Sequence, residues 1–124
     1  MNEKSSQLDS LLPILESVFQ AKQGDLARIN QRIQNLKAQL AQLDRPFQSG
    51  LGSAAVRAGA DVRWEAWAQD RRKLIMQELA LAARDRENER VVVARALAKL
   101  EAARALSTRF SKEKQRLAEK RASW

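Results

Sequence analysis

The chain has 124 residues, 44% of them hydrophobic, with four Gly, two Pro, three Phe, three Trp and a formal charge of +8. So few turn formers and aromatics point to an elongated helical protein rather than a compact core of mixed elements. With neither Cys nor His, zinc sites of the usual kind, thiol nucleophiles, disulfides and a histidine general base are excluded.

Asp61, Glu65 and Asp70 lie near one another on one helix, but no second element walls a pocket around them, so the residues make no catalytic constellation. We read the chain as having no enzymatic activity, cofactor or metal. No apolar run approaches the roughly 18 residues that span a bilayer, and the start MNEKSSQLDS lacks the basic-then-apolar order of a signal peptide. A cytoplasmic protein is expected.

In chain order, residues 1–9 are polar. Asp9 or Ser10 suits an N-cap, which would put Pro13 in the first turn, where its missing N–H costs nothing. The first helix is therefore expected over about 10–47. Its organising feature is a seam of Leu8, Leu12, Leu15, Phe19, Lys22, Leu26, Ile29, Ile33, Leu36, Leu40, Leu43 and Phe47, spaced alternately by threes and fours like the a/d positions of a coiled coil. Lys22 is the one polar seam position, and Gly24 beside it costs about 1 kcal/mol relative to Ala. Pro46 should end the helix, because the residue before a proline disfavours helical geometry.

Residues 44–61 hold three of the four glycines and form the expected reversal, with the turn at about 48–60. Ser53 could cap a short helical turn of AAVR and Asp61 the main second helix, expected over about 61–122, and the start is left open between 53 and 61. From Val62 onward there is no Gly or Pro, so this helix could run about 60 residues, roughly 90 Å. Its seam is looser, with the choices Trp67 or Ala68, Leu74 or Ile75, and Ala96 or Leu97 left open, and RDRENER at 84–90 interrupts it. One or both of Trp64 and Trp67 should cover Phe47 and Leu43. Folding back about a turn near residue 53 would set Lys22 against Asp85 and leave some 25 residues of the second helix projecting. The fold class is thus all-α: a single antiparallel coiled-coil hairpin domain whose second helix is longer and projects, as a monomer or a dimer of hairpins. Any association is expected through the Ala-rich seam of the second helix.

From Lys99 to Trp124 there are eight basic residues against three Glu, a net +5. Arg104, Arg109, Lys112 and Arg116 lie largely on one side, which suits an acidic partner. The segment lacks interleaved aromatics and any known reading motif, which disfavours nucleic acid.

The segment GSAAVRAGADVRWEAWAQDRRKLIMQELAL, with the Arg63–Trp64 pair, Trp67 three residues later and Leu74 on the same face, resembles the FliJ/YscO family of flagellar and type III export. The first helix, LDSLLPILESVFQAKQGDLARINQRIQNLKAQLAQLDRPFQSGL, lies on that family's first helix without a gap, and the likeness spans about residues 8–110. The resemblance implies a non-enzymatic stalk that couples a protein-export ATPase. Its paired termini would enter the hexameric ATPase, through Arg104, Arg109, Lys112 and Arg116. Its turn end would contact the export gate membrane protein and export chaperones through Leu40, Leu43, Phe47, Trp67, Asp70, Leu74, Gln77 and Leu81. Asp70 and Gln77 depart from the aromatic and the small residue of the family pattern. The resemblance also implies a location peripheral to the inner-membrane export apparatus. The other reading from the residues is a coiled-coil adaptor or scaffold whose basic end binds nucleic acid or an acidic protein.

Overall fold

The computed structural model describes residues 2–45 and 54–124, which form two helices, α1 (Asn2–Leu43) and α2 (Ala54–Ala122). The fold is an all-α helical hairpin, with no strand among the described residues. Pro46, Phe47 and Ser53, invoked above for the reversal and its caps, lie outside them. The helices pack as two compact units, a terminal unit of Met1–Leu26 with Asn88–Trp124 and a central unit of Ala27–Glu87.

The central unit is built on the expected seam of α1. Ile33, Leu36 and Leu43 are buried against Ala68, Ile75 and Ala82, with Ile29, Leu40, Trp64 and Leu79 packed around them. The open choices on α2 resolve one way: Ala68 and Ile75 are 0% and 1% exposed, whereas their neighbours Trp67 and Leu74 are 56% and 51% exposed. Alanine wins the seam at 68 and 82 because a small side chain lets the helix backbones approach and leaves room for Leu36 and Leu43. Of the two tryptophans, Trp64 packs on the core and Trp67 does not.

In the terminal unit, Leu8 is buried on α1 and Ala96, Leu100 and Ala103 on α2. Leu12, Leu15 and Phe19 are half-buried along the same seam. Ala96 rather than Leu97 takes the buried position.

Several boundaries differ from expectation. α1 begins at Asn2, not near Ser10, and neither Asp9 nor Ser10 is its cap. Ser10 instead donates its hydroxyl to the Ser6 carbonyl, 3.1 Å away inside the helix. Burial of Leu8 holds this early turn, and Glu3 in the first turn suits the positive end of the helix dipole. Pro13 consequently sits in the helix interior, where it lacks the bond to the Asp9 carbonyl. Its exposed position lets water take up that carbonyl.

At its other end α1 stops at Leu43, short of Pro46. Two tightened turns follow, Asp44 N–H to the Ala41 carbonyl at 3.3 Å and Arg45 N–H to the Gln42 carbonyl at 3.4 Å. α2 begins at Ala54, inside the window of 53 to 61 left open for its start, so Gly59 lies within it and Asp61 is not its cap. The Ala-rich run from 54 to 60 outweighs the single glycine.

The register also differs. In the central unit Gln39 meets Arg71 at 3.3 Å, and in the terminal unit Glu16 meets Arg104 at 3.9 Å. The expected register would have set Arg104 opposite Glu3. Lys22 pairs at 3.8 Å with Asp25 on its own helix, and Asp85 pairs at 3.2 Å with Arg84, so these two residues find partners locally rather than each other. Because α1 starts early, Ser5, Ser6 and Asp9 line a groove with Phe110, Glu113, Lys114 and Leu117. The projecting part of α2 therefore begins only after Leu117, not in the late nineties.

Candidate interaction surfaces

Among the described residues no group of three or more Asp, Glu, His or Cys could hold a metal ion. None of the described helices is long and apolar enough to cross a membrane.

The first surface lies on α2 in the central unit. Trp67, Leu74 and Leu81 recur every seven residues and remain 56%, 51% and 49% exposed. Exposed Asp70 and Gln77 lie between them. Seven residues make nearly two turns, so these five side chains form one stripe, displaced by one residue from the buried Ala68, Ile75 and Ala82. Beside the stripe runs a groove lined by Gln39, Gln42, Leu43, Trp67, Arg71 and Ile75. The α1 residues proposed for the same patch are placed differently. Leu43 is buried and lines the groove beside Trp67, and Leu40 packs on the core, so neither is a free contact residue. Phe47 is outside the described residues.

On the other flank of the α2 seam, beside Trp64 and Glu65, Arg72 joins the helices. Its Nη2 donates to the Leu43 carbonyl at 2.9 Å, at the C-terminus of α1. The same group lies 3.7 Å from Asp44 Oδ1, and Nη1 lies 3.8 Å from Glu65 Oε2. A helix C-terminus carries unpaired carbonyls and partial negative charge, so a guanidinium there both fills a hydrogen bond and meets the dipole. Sequence reading did not single out Arg72, because the cap comes from the other helix and leaves no local spacing to recognise.

The second surface is the basic end. Arg104, Arg109, Lys112 and Arg116 are all exposed, on a helix that stays regular to Ala122. Arg104 ion-pairs with Glu16, and Arg116 with Glu113 at 3.1 Å. Arg109 and Lys112 have no ion-pair partner among the described residues, so their charge is available to a binding partner.

A third surface, the apolar stripe of Leu11, Ile14 and Val18, is 44%, 59% and 45% exposed on α1 of the terminal unit. Its three-then-four spacing is readable in the sequence, but the stronger seam alongside it masks the signal. Compared with family models, with curated proteins and with solved structures, the chain matches none.

Proposed function

We propose that the protein is a non-enzymatic coupling stalk of a flagellar or type III protein-export ATPase complex, as its likeness to the FliJ/YscO family implies. The observation that carries this reading is the Trp67–Leu74–Leu81 stripe. Three large apolar side chains stay about half exposed while their immediate neighbours fill the core, which is what a helix face kept for a partner requires. Exposed Asp70 and Gln77 on the same face add the polar contacts that orient such a partner. In this reading the stripe meets the gate protein or an export chaperone, and the basic end meets the ATPase through charge attraction.

The test is binding of the full chain to the cognate export ATPase and to the cytosolic part of the gate. Reversing Arg109, Lys112 and Arg116 to Glu is expected to abolish ATPase binding, with helix content unchanged. Trp67→Ala with Leu74→Ala is expected to spare the ATPase and weaken the gate contact. If neither variant touches either partner, the stalk reading falls and the coiled-coil adaptor with a basic end takes its place.

A further inference from the structure

We propose that the terminal unit pairs with a second copy of itself in solution, each α1 lying antiparallel on the partner's α2 to form a four-helix bundle. This does not rest on the export reading.

The inference starts from which flanks share a side. On α1 the buried seam runs through Leu8, Leu12, Leu15 and Phe19. At 100° per residue, Leu11, Ile14 and Val18 fall on one flank of it and Glu16 on the other. On α2 the buried seam runs through Ala96, Leu100 and Ala103. Leu106 and Ala102 fall on one flank and Arg104 on the other. Glu16 and Arg104 meet at 3.9 Å, so their two flanks lie on the same side of the unit. The other two flanks must therefore share the opposite side. That side carries Leu11, Ile14, Val18 and Leu106, the last 42% exposed, while the Glu16–Arg104 side is polar. The same register puts Ile14 level with Leu106 and Val18 level with Ala102.

Charge selects the occupant. Within the terminal unit, the α1 part has four acidic residues (Glu3, Asp9, Glu16, Asp25) against two basic ones (Lys4, Lys22). The α2 part from residue 88 onward has ten basic against four acidic residues. An α1 is thus the natural cover for an α2. A twofold axis parallel to the helices places each α1 on the partner's α2. It sets Ile14 on the partner's Leu106, Val18 on the partner's Ala102 and Asp25 beside the partner's Arg95. Every neighbouring pair in that bundle is antiparallel, so the helix dipoles also oppose. A perpendicular axis would stack basic α2 on basic α2, and the charges reject it.

Sedimentation equilibrium of the full chain at micromolar concentrations is expected to give twice the chain mass of 14.0 kDa. Ile14→Glu alters an exposed side chain outside the seam. It should return the single-chain mass with helix content unchanged by circular dichroism. The chain has no native Cys, so single-cysteine chains report the pairing directly. An oxidised mixture of Ile14→Cys and Leu106→Cys chains should cross-link to each other, and neither should cross-link efficiently alone. A single-chain mass for the unaltered protein would overturn the proposal and leave the face to a different partner. So would a doubled mass that survives Ile14→Glu, or self-cross-linking of Ile14→Cys in place of the mixed pair.

Discussion

Ile75 and Leu74 are adjacent in sequence and nearly equal in size, yet the structure assigns them opposite costs on truncation. Ile75 is 1% exposed in the core of the central unit, and Leu74 is 51% exposed. Ile75→Ala removes three carbons at about 0.8 kcal/mol each. A partly collapsed cavity adds to that, so about 3 kcal/mol of stability should be lost. Leu74→Ala forfeits only the buried half of a similar transfer term and opens no cavity, so about 1 kcal/mol or less should be lost. A unit of this size holds only a few kcal/mol in total. Ile75→Ala should therefore lower the thermal midpoint by more than about 10 °C, followed by far-UV circular dichroism. Urea titration should show the same order with an unchanged slope. Equal shifts for the two variants, or a larger one for Leu74→Ala, would mean that the α2 seam is rotated by one residue from Ala68, Ile75 and Ala82.

Two further substitutions probe the helix ends. Arg72→Met keeps the apolar stem but loses the hydrogen bond to the Leu43 carbonyl, and should cost about 1.5 kcal/mol in a urea titration. The longer ion pairs to the exposed Asp44 and Glu65 add little to that figure. Gly59 lies in α2, and a Cβ added to it would meet nothing within 4 Å, so Gly59→Ala should gain about 1 kcal/mol of local helix stability. Slower amide exchange over 56–63 would register that gain.

The hairpin is legible in the sequence because the seam from Leu8 to Leu43 repeats for many turns with one polar exception. The second helix is less legible, for a physical reason. Two apolar stripes run side by side there, and periodicity cannot say which one faces α1. The nearby α1 backbone decides, and it favours alanine at 68 and 82 over tryptophan and leucine one residue away. The start of the first helix is misread and that of the second is left open because good capping residues, Asp9 and Asp61, sit inside segments that packing or alanine propensity holds helical. The register is not legible either, since it depends on where the second helix begins. The pairing of Glu16 with Arg104 follows from the three-dimensional packing alone. Of the candidate surface, Trp67 and Leu74 could be named from the sequence, whereas the packing of Leu40 on the core and the cap by Arg72 needed both helices in place.

The last expectation concerns the polar interruption of the α2 seam. Glu89 is half-buried in the terminal unit, and its Oε1 is shielded from water without a hydrogen-bond partner among the described residues. A shielded, unpaired polar atom costs about 1–3 kcal/mol, so Glu89→Leu should stabilise the protein by about 1–2 kcal/mol. The sequence keeps the carboxylate nonetheless, and register offers a physical reason. Sliding α1 by a turn in an all-apolar seam changes little, whereas a single charged position penalises every alignment that presses it against leucine. Glu89→Leu should therefore melt higher but pair less uniquely, with broadened or doubled amide resonances for residues 8–26. A lower melting temperature would show that the carboxylate is satisfied in solution and that its assumed cost is absent. A higher one with a single sharp set of resonances would keep the cost and remove the register role, leaving the Leu8, Leu100 and Ala103 packing to fix the alignment by itself.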